Sequence, residues 1–505
     1  MPRVTTLISL PAAAVLVCMS LAGAAVAAAR IPTTTDPAPA AAGWLAQQFD
    51  DHFESSGFFD GGATADAIFA LAASKTGTTK IGSAISYFRV HLNDYTSIND
   101  TSGKPGPFDG SLAKAAVAVI VAGADPTHFG GHNLLRALHD DQCVGVSGDP
   151  QHPAVPTCPA PGAARNIFSS ISESFAIIAE SRGGAGDAPD AAARAYFLSL
   201  QCRDGGFTSQ PTGVRCASDV DATGYAVAAL VALGGQRPQV STAADWLVSQ
   251  RKPAGYWVSN GGANVDSTGL AASALAAAGR DTSSSQIWLR GQQVTTGPTT
   301  GPGASRGALK YQGVFDPAAS IKATADGLLG LARRASLATL TTAGATPGTR
   351  VLALPQPGLS GSSVRQGAPL TVTGRGFQAG EPVRATFAAS SAVLARATAA
   401  KTGTATLRFG VPPGTRTGSH TVVLTGRTSG LTSAAGFTVT RAPVAATSPV
   451  PGSLPTTVAP PTTVAPPRLA DTGRDGRTIA VEIAIGLACL VVGCVATLAG
   501  RRRHR

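Results

Sequence analysis

The sharpest chemistry in this 505-residue sequence is a pair of carboxylates one residue apart, Asp219-Val220-Asp221, followed by Ala222 and Thr223. A neighbouring carboxylate raises the pKa of a carboxyl and so helps it act as a proton donor. Asp219 and Asp221 are therefore the candidate catalytic residues. The arrangement returns in Asn264-Val265-Asp266-Ser267-Thr268. A feature that recurs in step with a repeat also serves folding, and on that reading Asp221 and Asp266 cap two buried helices. His128, His132 and His139, with Asp140 and Asp141, form the histidine cluster. Gly130-Gly131 argues against the helix that would aim the first two histidines at one metal, so a solvated loop is expected and no metal site. The sequence carries no G-x-S-x-G, Walker or dinucleotide motif and names no cofactor.

These residues sit in a repeat. RAYFLSLQCRDGGFTSQPTGVRCASDVDATGYAVAALVALGG is followed by ADWLVSQRKPAGYWVSNGGANVDSTGLAASALAAAG. Each copy opens with an aromatic-Leu pair and a Gln four residues after the aromatic, Phe197 with Gln201 and Trp246 with Gln250, then crosses a Gly-aromatic turn and restarts at V-D-x-T. A Ser or Thr placed seven residues before a Leu or Ala of an Ala-rich run recurs at Thr64, Ser111, Ser172, Thr223, Thr268 and Thr324. Upstream bulky pairs recur at Trp44-Leu45, Tyr87-Phe88, Leu134-Leu135, Phe197-Leu198, Trp246-Leu247 and Trp288-Leu289. The downstream segments, such as ADAIFALAA and TADGLLGLA, are apolar on almost every side and must be buried; the upstream ones are amphipathic. About six buried helices inside six amphipathic ones describe an all-α α/α toroid over residues 40 to 340.

Q-x4-G-F at Gln201 to Phe207, Q-x4-G-Y-W at Gln250 to Trp257, and V-D-x-T opening the buried helix resemble the terpenoid cyclase and protein prenyltransferase repeat superfamily. The resemblance implies the toroid; the same fold serves cyclases, prenyltransferase subunits, complement thioester domains and cobalamin carriers, so it does not by itself imply an activity. Class II cyclases carry D-x-D-D-T, whose middle Asp protonates the substrate. Asp221 holds that place here, but Ala222 stands where the next Asp would be. Complement's GCGEQ is absent, and prenyltransferase chemistry would need a zinc site of Asp, Cys and His together with a partner chain.

In such a toroid the loops between an outer and an inner helix share one face, with the N-termini of the buried helices and their free amides. Asp60, Asp109, Asp204, Phe207, Tyr256, Trp257, Asp266 and Tyr311 fall in or beside these loops and are the candidate ligand-binding residues, although Gly-aromatic loops also simply tie neighbouring helices together. Of seven cysteines, four lie in the exported part as two local pairs, Cys143 with Cys158 and Cys202 with Cys216; this spacing reads as two disulfides formed in an oxidising compartment.

The flanks describe an exported, anchored chain. Residues 1–29 read as a signal peptide. From 350 to 441, short alternating segments divided by Gly and Pro turns predict an all-β sandwich, and G-x-x-L-T-V-T-G-x-G-F-x-x-G from Gly367 to Gly380 resembles bacterial immunoglobulin-like domains. This segment holds ten Lys or Arg against one acid, Glu381, whereas the toroid holds 21 against 24, so the formal +11 is not a global property. Residues 442–467 form a Pro/Thr-rich linker. Leu469-Ala470-Asp471-Thr472-Gly473, an apolar run at 478–500 long enough for one transmembrane helix, and the basic tail 501–505 together resemble a sortase sorting signal of the L-A-x-T-G type found in high-GC Gram-positive bacteria. The resemblance implies a sortase-type transpeptidase and peptidoglycan as partners and a place at the cell wall or membrane surface. Nucleic acid is not expected for an exported chain. The expected function is binding or adhesion without turnover, of a small apolar or cobalamin-like ligand or a surface partner. An exported terpenoid- or glycan-acting enzyme using Asp219 and Asp221, or a structural wall protein, are the alternatives.

Overall fold

Among the described residues there are thirteen helices, twelve from the repeat and the short α4: α1 (Pro37–Leu45), α2 (Gly61–Ala73), α3 (Thr78–Val90), α4 (Leu92–Thr96), α5 (Asp109–Ala122), α6 (Leu134–Asp140), α7 (Ser170–Gly183), α8 (Ala191–Ser199), α9 (Val220–Leu233), α10 (Arg237–Gln250), α11 (Val265–Ala277), α12 (Ser283–Gly291) and α13 (Pro317–Leu331). The computed structural model describes residues 32 to 441 except 100–108, 146, 149–155, 159, 165–168, 185, 211–215, 333–334, 354–355 and 389. The signal peptide, the linker, the sorting motif and the 478–500 run lie outside the described residues. Among those described, no helix is long and apolar enough to cross a membrane.

The six Ala-rich helices α2, α5, α7, α9, α11 and α13 each pack against the next, and α13 packs back against α2, closing a ring. Helices α1, α3, α6, α8, α10 and α12 lie outside it, each against an inner helix. The bulky pairs anticipated from the sequence anchor this outer layer: Leu45, Phe88, Leu134, Leu135, Phe197, Leu247 and Leu289 are fully buried. Small residues set how closely the inner helices approach. A Cβ on Gly269 of α11 would lie 2.2 Å from the Asp326 carbonyl oxygen of α13, so only glycine permits this backbone contact.

Residues 335 to 351 form a strap across the C-terminal ends of the inner helices, which the sequence reading did not foresee. Ser273 Oγ of α11 donates to the Ala335 carbonyl at 2.6 Å, and Arg182 of α7 donates to the carbonyls of Leu337 (2.6 Å) and Leu340 (2.7 Å). The Thr342 N–H reaches Val121 of α5, and the Thr346 N–H reaches Lys75 after α2. Leu337 and Leu340 are buried beneath it. The strap floors the ring and leaves the N-terminal ends of the inner helices as its open end.

The C-terminal region is a β-sandwich. Strands 356–359, 369–375 and 404–410 form one antiparallel sheet. Strands 363–365, 432–440, 418–426, 382–387 and 393–398 lie side by side in the other, antiparallel except for the first pair. Alternate residues of both sheets, among them Leu370, Val372, Leu407, Val383, Leu424 and Phe437, meet in one core. Both hydrophobic cores found among the described residues lie between Ala38 and Val439, within a piece spanning 32–441. Cys143–Cys158 and Cys202–Cys216 are both bonded, which places the chain in an oxidising compartment.

Candidate functional site

The start of each inner helix decides which side chains face the hollow of the ring. Helix α9 is capped by Asp219, whose Oδ1 accepts the N–H groups of Asp221 (3.0 Å) and Ala222 (2.9 Å). Helix α11 is capped by Asn264, which accepts from Asp266 (2.8 Å) and Ser267 (3.3 Å). The caps therefore sit two residues before the positions expected from the sequence. A capping residue needs an extended backbone just outside the helix, which Asp219 (ψ 143°) and Asn264 (ψ 127°) have. Asp221 and Asp266 lie one step inside the first turn and are free of capping.

Threonines fix the same ends. Thr64, Thr223 and Thr268 each donate a hydroxyl to the carbonyl four residues back, at 2.8, 2.6 and 2.6 Å. Their Oγ1 atoms, and that of Thr324, accept the backbone N–H of Phe53, Phe207, Trp257 and Leu309, the residue at which each loop folds back. The expected equivalence of Ser172 shifts by two residues: Ser174 makes the back-bond in α7, to Ser170 at 2.9 Å. Ser111 and Ser172 instead line a cavity. The seven-residue spacing selects Ser172, with Ala179 seven residues on, and passes over Ser174, whose seventh residue is Ser181.

That cavity, of about 450 Å³, is lined from five of the six inner helices and α4: by Ser111 and Lys114 of α5, Ile171, Ser172 and Phe175 of α7, Asp221 and Tyr225 of α9, Leu270 of α11, Lys322 and Asp326 of α13, and Tyr95 of α4. One wall is a charge cluster. Lys322 Nζ lies 2.8 Å from Asp326 and 3.7 Å from Asp66 of α2, and Lys114 Nζ lies 2.7 Å from Asp66. Asp66 and Asp326 are buried, while more than half of the Lys322 side chain remains accessible toward the hollow. Beside it the lining is aromatic: Phe175 and Tyr225 meet at 5.1 Å, and the Lys114 ammonium lies 5.6 Å from the Phe175 ring.

Asp221 and Asp266 complete the cluster. Burial pushes Asp221 up to about 6, against the Ser267 hydroxyl, with Asp219 and Asp326 adding to the rise. Burial pushes Asp266 up to about 7, and the charge of Asp326 adds to it. Lys322 is held well above the usual ammonium range, chiefly by Asp326, and stays charged. Four carboxylates against two ammoniums leave the cluster at −2 when all are ionised, and protons taken up by Asp266 and Asp221 as pH falls through about 7 and about 6 bring it toward neutrality. Oδ1 of each is closed off from solvent and has no hydrogen-bond partner among the described residues. On the cavity lining, Asp221 is below about pH 6 a neutral carboxyl that can donate a hydrogen bond or a proton, and above it a carboxylate that can meet a cation.

Of the residues singled out from the sequence, the structure brings Asp221 to the cavity lining and Asp266 near the same charge cluster, and puts the others to different use. Asp219 is a cap, and so is Asp60, which accepts the Ala63 N–H at 2.8 Å. Asp109 is buried at the first residue of α5. Asp204 ties its loop by accepting from Gly206 (3.2 Å) and from Trp246 Nε1 (3.0 Å). Phe207 stacks on Phe197, and Trp257 is buried with its Nε1 donating to Leu247 at 2.9 Å. Tyr256 packs against Trp288 at 5.2 Å, and the Tyr311 hydroxyl accepts from Asn260 and Asn264. Gln201 donates to the Gly205 and Gln239 carbonyls, whereas Gln250 reaches only its neighbour Ser249. His128 is exposed beside Asp125, and no group of three metal-ligating side chains occurs among the described residues.

Asp66, Lys114, Lys322 and Asp326 escaped the sequence reading. Their signal was present: Asp66 is the lone charge of α2, Lys114 the lone cation of α5, and Lys322 and Asp326 the two charges of α13, all in otherwise apolar helices. Such a charge must find a partner when buried.

No family model matches the sequence, and no curated protein does. Among solved structures, ent-copalyl diphosphate synthase from Streptomyces platensis is similar at 18% identity and a TM-score of 0.35, over 54% of this chain and 50% of that one, so this chain matches half of the synthase. A type II terpene cyclase from Scytonema, solved with geranylgeranyl dihydroxybenzoate, matches at 14% identity and a TM-score of 0.40, over 60% of this chain and 97% of its own. A glucoamylase from Hormoconis resinae matches at 11% identity and a TM-score of 0.35, over 81% and 97% of the two chains. At these TM-scores the likenesses say nothing of substrate or reaction.

Proposed function

We propose that the toroid is the ligand-binding head of an exported, surface-displayed protein, and that its central cavity holds a small molecule with an apolar body and one polar head. The observation that carries this reading is the lining of the hollow, where Lys114, Asp221, Lys322 and Asp326 stand beside Ile171, Phe175, Tyr225 and Leu270 in a ring floored at one end. Polar groups gathered at one place on an otherwise apolar lining fix the orientation of a bound molecule. The volume suits a drug-sized molecule. A corrinoid exceeds it, so the cobalamin-like ligand is set aside for this cavity.

A second reading rests on the same group. A carboxyl raised to about 6 still holds its proton in mildly acidic solution and can there act as a general acid, so an acid-initiated reaction on a terpenoid- or glycan-like substrate would use Asp221 alone, Asp219 being engaged as a cap. Display at the surface rests on the signal peptide, the L-A-D-T-G motif, the apolar run and the basic tail. On this reading a sortase-type transpeptidase joins Thr472 to peptidoglycan.

Native mass spectrometry of residues 32–441, secreted from a high-GC Gram-positive host, tests the head. A discrete added mass that survives desalting, and that disappears when Ile171→Trp fills the cavity, is the expected result. A clean apo mass for the parent chain would sink the binding reading and leave the wall-structural one. If a bound molecule is chemically altered by the parent chain and not by Asp221→Asn, the acid-catalyst reading takes its place.

A further inference from the structure

The β-sandwich carries a second surface, independent of the cavity. Its one acid is turned inward: Glu381 is buried and accepts from the N–H groups of Gln378 (2.7 Å) and Ser429 (3.0 Å) and from the hydroxyls of Thr428 (3.1 Å) and Ser429 (2.9 Å). All ten of its Lys and Arg residues are exposed. The outer surface therefore has no carboxylate of its own to balance them.

The strand register gathers three of the ten on the solvent face of the five-stranded sheet. Arg384 stands directly opposite Arg396 on one neighbouring strand and opposite Thr425 on the other, and Thr425 is opposite Thr432. One row further along, Pro382 faces Thr398 and its carbonyl accepts the Arg427 N–H at 2.8 Å. Like charges directly opposite one another disfavour strand pairing. Rows about 7 Å apart on strands about 4.8 Å apart bring the three guanidiniums within reach of successive phosphates of one chain. Arginine forks match phosphate oxygens in bidentate fashion, and the flanking threonine hydroxyls add donors.

We propose that this face, at Arg384, Arg396 and Arg427 with Thr398 and Thr425 beside them, binds successive phosphodiester groups of an anionic envelope polymer. The two disulfides place the chain in an oxidising compartment, and the choice of an envelope polymer rests on the surface display proposed above.

The test uses residues 32–441 with three probes: a poly(glycerol phosphate) chain, phosphatidylcholine vesicles with and without phosphatidylglycerol, and duplex DNA, each at low and at physiological salt. The expected result is salt-sensitive binding to poly(glycerol phosphate). R384Q/R396Q/R427Q should lower that affinity by about a hundredfold, since each arginine near an anionic surface is worth about fivefold. R350Q/R375Q/R408Q removes the same charge from elsewhere and should cost less than about tenfold. Equal losses from the two triple variants would show diffuse charge attraction and overturn the site. So would tighter binding to DNA or to the phosphatidylglycerol vesicles than to poly(glycerol phosphate), or no binding to that polymer. An unchanged melting temperature for both variants excludes unfolding as the cause.

Discussion

Asp221→Asn separates the cavity wall from a helix cap by the direction of its effect. Asp221 is raised to about 6 by burial, roughly two units above its value in an unfolded chain. The folded state thus binds this proton more tightly than the unfolded one. The resulting stabilisation is complete below about pH 4 and is lost as pH rises through 6. At pH 8 the ionised, buried carboxylate disfavours the fold by about 3 kcal/mol, at 1.36 kcal/mol per unit. Asparagine keeps the shape and cannot ionise, so the variant should be more stable than the parent at pH 8, raising the toroid's melting temperature by about 4 °C, and near neutral at pH 4.5. Scanning calorimetry of 32–441 at the two pH values gives the difference directly. If Asn destabilises by the same amount at both, Asp221 is a structural residue of the helix start and the electrostatic account of the wall is wrong.

Lys322→Met leaves Asp66 with Lys114 alone and Asp326 with no ammonium within ion-pair distance, and should cost about 3 kcal/mol or more at pH 7, read from the same melting transition; an unchanged transition would mean the cluster is not coupled to folding. Gly269→Ala forces a Cβ against the Asp326 backbone and should cost about 1–3 kcal/mol, whereas the same change at the solvent-exposed Gly82 should not, as thermal melts of the two variants will show. Asp219→Ala removes a cap and should lose about 1 kcal/mol at both pH 5 and pH 8, unlike the pH-dependent effect at Asp221. Thr472→Ala should leave the chain unattached to wall material; covalent attachment that persists in the variant refutes sorting at this motif.

Much of the architecture was legible from local pattern. The bulky-pair spacing, the Ala-rich helices and the V-D-x-T restarts are local signals, and each helix pair forms where they stand. Alternation with Gly and Pro turns marked the sandwich in the same way, and cysteine spacing marked both bridges. The candidate site was harder to read because local pattern carries two meanings. V-D-x-T twice in register suggested caps at Asp221 and Asp266, yet the capping geometry fell to Asp219 and Asn264 and turned the two carboxyls inward.

What the sequence by itself determined is therefore the kind of element at each place, the repeat that stacks those elements, and the separation of a near-neutral helical head from a basic β-domain. These depend on side chains a few residues apart. What only the tertiary structure decided is which charges meet. Asp66 and Lys322 lie 256 positions apart and come together because α13 packs against α2 to close the ring. The strap that floors the cavity is likewise made of contacts from residues 335–351 back to α11, α7 and α5. The protonation of Asp221 and Asp266 follows from that enclosure, since desolvation and the nearness of Asp326 exist only once the ring is shut.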